Sequence, residues 1–178
     1  MKTAFLIRLL TAVLLLPCFL ARSAEPIHAI LTVNGSAVQG DGPNGAIVVL
    51  GFDHEVVSPR DPATGQATGV RQYKPIRIVK AIDKASPLLF KALVQNQNCA
   101  LELRFFRKDA NNQPALYYTI NLVNARVSSI REWKPNVRDL SSDRAGDLEE
   151  VSFVFQTITV TYVDGGVTFT DSWSPAGP

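Results

Sequence analysis

Apolar and polar residues alternate along most of this chain, a two-residue period that is typical of β-strands burying one face. The first such run places four apolar side chains of residues 27–33 on one face. Strands are predicted over residues 27–33, 47–57, 71–82, 100–106, 116–123, 125–133, 151–162 and 167–173. Two long polar stretches, Ser58 to Gly69 and Pro135 to Gly146, cannot support a core and are predicted as loops.

Two of these strands carry an irregular pattern. The apolar phase slips between Val127 and Ile130, and such a slip predicts a bulge or bend in the strand. The run from Val151 to Tyr162 changes its apolar face halfway along. A strand of this kind either passes between two sheets or runs from the core to a subunit interface.

One segment predicts a helix, Lys80 to Val94. Ser86 is suited to cap its N-terminus by accepting a free backbone N–H, and Pro87 then stands at the first helical position. The predicted buried stripe consists of Leu88, Leu89, Ala92 and Leu93. A single helix among eight or nine strands predicts a mainly β fold: a compact β-barrel of two sheets, or a two-sheet sandwich, with one flanking α-helix.

The first residues read as an export signal. Lys2 and Arg8 precede an apolar run from Leu9 to Leu20, and small residues follow. Residues 1–23 are therefore predicted as a signal peptide and residues 24–178 as one domain, secreted or periplasmic. A start of translation downstream of this leader would instead place the protein in the cytoplasm before any export.

Removing the leader changes the charge and the cysteine count. Three of the 18 basic residues leave with it, so the mature chain has 15 basic and 16 acidic residues and a net charge of −1. This near-neutral balance gives no electrostatic reason to expect nucleic acid or an anionic membrane as a partner. Cys18 also leaves, which makes an intramolecular disulfide impossible for the remaining Cys99.

Candidate chemical sites are few. His28 is predicted to be solvated on the first strand. Asp53, His54 and Glu55 resemble a metal-binding triplet, but in a strand His54 points away from its two neighbours, so one ion cannot use all three. Neither a metal nor another cofactor is expected.

Other reactive side chains favour structural roles. Ser86 near Asp83 reads as a capping signature rather than as a nucleophile. Cys99 is predicted to be a small buried residue, with an exposed or intersubunit thiol as the alternative. Asn34 lies in an Asn-Gly-Ser glycosylation pattern, which occurs often by chance. No catalytic residues are predicted. The large aromatics Trp133, Trp173, Tyr117 and Tyr162 are suited equally to an interface or to a core.

Four segments, in order, resemble the Hcp (haemolysin-coregulated protein) family, which supplies the secreted tube of type VI secretion systems. The segment from Ile78 to Leu93 resembles the family's strand, D-x-x-S-P and helix. The run from Tyr117 to Ile130 resembles its central hairpin, and the run from Glu150 to Tyr162 its late strand. The sequence from Gly165 to Trp173 resembles one branch of the family.

This resemblance implies a non-catalytic structural subunit. Such subunits form homo-hexameric rings that stack into a hollow tube, whose lumen carries small effector proteins. The implied partners are further copies of the chain, together with secretion spike, sheath or effector proteins. By position, the loop from Ser58 to Gly69 is the one that reaches a neighbouring subunit or ring. A cleavable signal departs from the family pattern, and it favours an alternative role as an exported binding or adhesion module.

Overall fold

Antiparallel strands and one helix account for nearly all regular structure in the computed structural model, which describes residues 25–136, 138 and 146–173. The strands are β1 (Ile27–Val33), β2 (Ser36–Val38), β3 (Ile47–Val49), β4 (Gly51–Asp53), β5 (Val56–Val57), β6 (Gln72–Tyr73), β7 (Ile76–Ala81), β8 (Cys99–Lys108), β9 (Pro114–Trp133), β10 (Leu148–Val154), β11 (Thr157–Tyr162) and β12 (Val167–Ser172). The helix α1 spans Ser86–Val94. The predicted signal peptide lies outside the described residues, as does most of the predicted loop over residues 135–146.

Ten of the strands form two sheets that share β9, and β5 and β6 form a separate pair. Hydrogen bonding gives the order β2-β1-β8-β9-β10-β7-β4, with β11 also beside β9, β12 beside β11, and β3 beside β1. The first part of β9 pairs with β8 and β11, and its last part pairs with β10. The predicted mainly β class with one flanking helix is therefore confirmed.

The predicted closure into a barrel is wrong, since the sheet stays open. Strand pairing divides at Leu50. Before it, β3 pairs with residues 27–29 of β1, whereas after it β4 pairs with residues 77–79 of β7. The two sheets consequently enclose a core between them without forming one continuous ladder around it.

Both predicted irregularities are present. In the pairing of β9 with β10, Ser152 lies opposite Ser129 and Phe153 lies opposite Val127, so Ser128 is an extra, bulged residue. The predicted change of apolar face is the junction between β10 and β11. There the chain leaves β10, which pairs with β7 and the last part of β9, and enters β11, which pairs with β12 and the first part of β9. Of the two alternatives, passage between two sheets is the one observed.

Helix α1 packs through a narrower stripe than the sequence predicts. Leu89 and Ala92 are fully buried and Leu93 is partly buried, but Leu88 is 44% exposed. Phe90 and Val94 are exposed as well. The helix therefore lies on the surface of the sheet and contributes only one row of side chains to the core.

The start of α1 is held by a buried ionic cluster, which corrects the predicted cap. Ser86 is the first helical residue, and Ala85 stands at the cap without a side-chain bond. The Ser86 hydroxyl donates to Glu149 Oε1 at 2.6 Å and accepts the backbone N–H of Asp83 at 3.0 Å. Lys80 Nζ donates to Asp83 Oδ1 at 2.8 Å and to Glu149 Oε1.

Candidate assembly surfaces

The β11–β12 hairpin has two chemically different faces. One face is a ladder of hydroxyl pairs across the strands: Thr157 with Ser172 at 3.1 Å, Thr159 with Thr170 at 2.9 Å, and Thr161 with Thr168 at 3.0 Å. On the other face, Ile158 is buried and Val160 packs against the core. The apolar face of β11 thus belongs to the protein interior, while the hydroxyl face is turned away from it.

The apolar face continues onto β12, where it is uncovered. Phe169 lies opposite Val160 and is 69% exposed, and Val167 lies opposite Tyr162 and is 68% exposed. Among the described residues, β12 pairs with β11 alone. A six-residue edge strand without Lys, Pro or a bulge lacks the usual protection against pairing with another chain. We call the exposed side of β12, with Val167 and Phe169, the edge surface.

A second surface is the projection formed by residues 58–69, here called the arm. It leaves the body between β5 and β6, which pair only with each other among the described residues. Within the arm, Arg60 and Ala67 form an isolated β-bridge, and Arg60 Nη1 donates to the Gly65 carbonyl at 3.0 Å. No residue of the arm is buried, so the arm has no core of its own.

The turn of the arm is organised by Asp61. Its Oδ1 accepts the backbone N–H groups of Thr64 at 2.8 Å and Ala63 at 2.9 Å, and the Thr64 hydroxyl at 3.0 Å. These hydrogen bonds hold the pKa of the Asp61 carboxyl below its ordinary value, and the one from the Thr64 backbone has the largest effect. The arm therefore has a defined local shape even though it is solvated.

The root of the arm is tied to β12 by side chains. The Arg71 guanidinium donates two hydrogen bonds to the Asp171 carboxylate and a third to the Ser172 carbonyl at 2.9 Å. The Tyr73 hydroxyl also donates to Asp171. The hydrogen bonds from Arg71 and, to a lesser extent, Tyr73 lower the pKa of the Asp171 carboxyl. Burial raises the pKa of the Tyr73 hydroxyl. We call Arg71, Tyr73 and Asp171 the latch.

Aromatic rings surround the same root. The Tyr73 ring is stacked on His54, with centroids 6.2 Å apart, and meets the rings of Phe155 at 5.3 Å and Trp173 at 6.0 Å. Burial lowers the pKa of His54, whose Nε2 is buried without a hydrogen-bond partner in the described residues. A cleft of about 420 Å³ opens beside these rings. Its lining consists of Tyr73, Lys74, Pro75, Asn124, Val154, Phe155, Gln156 and Trp173.

Asp53, His54 and Glu55, the residues that resemble a metal-binding triplet, have separate surroundings in the structure. Asp53 binds Arg77, and His54 packs among aromatic rings. Glu55 is exposed to solvent. In residues 25–136, 138 and 146–173, no group of three or more His, Cys, Asp or Glu side chains is placed to hold a metal ion. Only Asp53 of the three lies in a strand, and His54 and Glu55 belong to the connection between β4 and β5.

The remaining candidate residues have structural positions. His28 is half-buried against Phe106, with ring centroids 4.9 Å apart, rather than freely solvated as predicted. Cys99 is buried, as predicted, and burial raises the pKa of its thiol. No helix in the described part of the chain is long and apolar enough to cross a membrane.

The four large aromatics divide between packing and exposure. Trp173 and Tyr162 are exposed, as an interface role requires. Tyr117 lies under the Arg107 guanidinium, and Trp133 lies under that of Arg131, at 5.3 and 5.2 Å from the ring centroids. These two rings are therefore partly covered by the chain's own cations.

Sequence reasoning missed the latch and the edge surface. Arg71 and Asp171 are 100 positions apart, and neither has a local pattern that indicates the other. It also missed the buried Lys80 and Glu149, although a signal was present. Lys80 continues the inward phase of Ile76 and Ile78 on β7, a position that is normally apolar.

Comparison with known proteins agrees with this geometry. The family described as "Type VI secretion system effector, Hcp" matches residues 28–162. The "Major exported protein" of Pseudomonas aeruginosa is 37% identical over 134 residues, which cover 75% of this chain and 78% of that protein.

Solved structures share the fold. Hcp1 from E. coli is 27% identical with a TM-score of 0.75, and the match covers 85% of this chain and all of the other. The secreted protein Hcp3 from Pseudomonas aeruginosa is 27% identical with a TM-score of 0.68, covering 84% and 99% of the two chains. Another Hcp crystal structure reaches a TM-score of 0.79 at 23% identity, covering 86% of this chain and 100% of that one.

Proposed function

The chain belongs to the Hcp family of type VI secretion proteins, and we propose that it is a non-catalytic subunit that assembles with copies of itself. In this proposal six subunits close into a ring, and rings stack into a hollow tube that leaves the cell. Contacts that close a ring are head-to-tail, so each subunit offers two different surfaces to its neighbours.

The edge surface is the observation that carries this proposal. Val167 and Phe169 extend the apolar face of a core strand beyond the core, on a strand with one unpaired side among the described residues. Exposed apolar side chains beside an open strand edge are typical of surfaces that a partner covers. A neighbouring subunit would bury Phe169 and satisfy the backbone groups along β12.

The test is the native mass of variants of β12. Replacing Phe169 by Asp puts a charge into the proposed contact, and we expect rings to dissociate into monomers. Because Phe169 is exposed in the monomer, the free energy of unfolding should change by less than about 0.5 kcal/mol. The matched control is Thr168→Asp, one residue away on the hydroxyl face, which should leave the native mass unchanged. A wild-type protein that remains monomeric at high concentration would contradict the proposal.

Ring stacking is assigned to the arm. Its residues are solvated and have no core, so a neighbouring ring can order them at the moment of contact. Val57 and Gln72 are paired directly across the arm's base, which allows the arm, together with Val70 and Arg71 of the latch, to be replaced by a two-residue Asn-Gly turn. Single rings should persist in this variant while stacks disappear from electron micrographs. Stacks of normal length would exclude the arm from this role.

Small effector proteins are the proposed cargo of the ring lumen, and spike and sheath proteins are the proposed neighbours of the tube. No catalytic step is assigned to the chain. A purified effector candidate should bind assembled wild-type rings and should not bind Phe169→Asp monomers. Equal binding to both would contradict carriage within the ring.

A second candidate function is supported by the sequence of the leader. If residues 1–23 are cleaved as a signal peptide, the subunit would act in the periplasm or outside the cell as a binding or adhesion module. N-terminal sequencing of the cellular protein distinguishes the two. A start at Ala24 favours the exported module, whereas an uncleaved N-terminus in the cytoplasm favours the tube subunit.

A further inference from the structure

We propose that the latch fixes the direction in which the arm leaves the body, and that Asp171 thereby couples the edge surface to the arm. Asp171 belongs to β12, the strand of the edge surface, whereas Arg71 and Tyr73 belong to the root of the arm. The stacking consequence rests on the proposed function. The latch itself does not, because all its members belong to one chain.

Apart from the rings packed around Tyr73, little holds the arm to the body. Its root strands β5 and β6 are two residues each, and an isolated two-stranded hairpin is marginal in water. The pairing is extended by one backbone bond, in which the Lys74 N–H donates to the Glu55 carbonyl at 3.0 Å. Since no residue of the arm is buried, its orientation must be set by side chains at the root.

The latch has the geometry that this role requires. Arg71 uses two donors on one carboxylate and a third on the Ser172 carbonyl, which fixes the plane of the guanidinium as well as its distance. The Asp171 side chain is 16% exposed and that of Arg71 is 44% exposed, so solvent screens the pair in part and its geometry matters more than its charge alone. The Tyr73 hydroxyl adds a further donor to Asp171 Oδ2, the oxygen that also accepts from Arg71 Nε.

The arrangement joins two surfaces that would otherwise be independent. Residues 167 and 169, which form the edge surface, lie on the same six-residue strand as Asp171. A neighbour that holds β12 in place would therefore hold Asp171, and Asp171 would hold the arm. The coupling is reciprocal by thermodynamic necessity: an arm seated on a second ring also favours the bound position of β12.

Hydrogen exchange of the full-length protein tests the latch without reference to assembly. In Asp171→Asn, amides of residues 56–74 should exchange about tenfold faster, since opening of the root is no longer opposed by the ion pair. The matched control is Asp164→Asn, which removes another Arg–Asp pair from the same hairpin, with Arg107, and touches no arm residue. Exchange in the arm should be unchanged in this control.

Two further variants keep the test decisive if Asp171→Asn folds poorly. Tyr73→Phe removes one donor while retaining the ring, and it should give a smaller increase at the same amides. Arg71→Lys keeps the charge but loses the paired donors, and it should fall between wild type and Asp171→Asn. If the amides at the root exchange at the wild-type rate in all three variants, the proposal that the latch holds the arm is refuted.

Electron microscopy then tests the coupling. Rings of Asp171→Asn should form but stack into shorter tubes than those of the wild type and of Asp164→Asn. Faster exchange together with normal tubes would overturn the coupling while leaving the latch in place. Wild-type protein that forms no rings would refute the proposed function alone, because the exchange result is independent of it.

Discussion

Lys80→Met should be among the most destabilising single substitutions in this chain. Lys80 and Glu149 lie directly opposite each other on β7 and β10, and both side chains are completely buried. The same ammonium group also binds Asp83, whose side chain is 8% exposed. Methionine has a similar length but no charge, so the variant leaves two carboxylates facing each other in the core.

The magnitude follows from the burial of the stranded charges. Removing one partner of a buried ion pair costs about 3–5 kcal/mol, because the other charge is left uncompensated. Without Lys80, the Ser86 hydroxyl is the side-chain donor that remains to Glu149 among the described residues, and Glu149 Oε2 has no hydrogen-bond partner there, so the negative charge is left without a cation. A domain of this size is typically stable by about 5–15 kcal/mol, so the loss is a large share of the total.

Urea unfolding at one protein concentration measures this loss. With a slope of about 2 kcal/mol per molar urea, the midpoint should fall by about 2 M in Lys80→Met. The exposed pair of Lys134 with Asp147 provides the control, and Lys134→Met should change stability by less than about 1 kcal/mol. Protein concentration must be equal because assembly also stabilises the folded chain.

The double variant Lys80→Met with Glu149→Leu tests the physical reason. If uncompensated charge is the cause, replacing Glu149 as well should recover the part of the loss that its charge causes, while the part due to Asp83 remains. Additive loss in the double variant, or a single-variant loss below about 1 kcal/mol, would refute the reasoning. The pair would then act through packing of its methylene groups alone.

Three other predictions concern His54, α1 and Cys99. Burial lowers the pKa of His54 below its ordinary value of about 6.5, so its contribution to stability is complete above that pH and declines as pH falls through the folded-state pKa. Between pH 8 and 5, the urea midpoint should therefore fall less steeply in His54→Phe than in the wild type. Equal dependence of the two midpoints on pH would contradict this. Leu89→Ala should lower the free energy of unfolding by about 2–5 kcal/mol because Leu89 is fully buried, whereas Leu88→Ala should lower it far less. Similar urea midpoints for the two variants would contradict the burial of the Leu89 face of α1. Burial and a raised pKa should keep the Cys99 thiol unreactive towards a thiol reagent at pH 8 until the protein unfolds, and rapid labelling of the native protein would contradict its position.

Patterns confined to neighbouring residues predicted the local structure well. The slip between Val127 and Ile130 located the bulge at Ser128, because a single extra residue must reverse the alternation that follows it. The change of face after Phe155 located the passage between sheets for the same reason. These features are encoded by spacing along one strand, so no partner strand has to be known.

Features that depend on distant partners were predicted less well. Leu88 has helical spacing suited to burial, but the sheet beneath α1 reaches only the row of Leu89 and Ala92. Ser86 was expected to cap the helix, yet its hydroxyl donates a hydrogen bond to Glu149, 63 positions away. The assembly surfaces depend on which strand edges remain open, and that is decided by pairings across the whole chain.

Strand β9 has a consequence for the order in which this protein is made. Its 20 residues pair with β8, which precedes it, and with β10 and β11, which follow it. A growing polypeptide that has emerged only as far as Trp133 can pair the first part of β9 with β8, but the groups that pair with β10 and β11 are left open. Such a species is prone to aggregation, and β10 and β11, which emerge later, are the strands that protect it.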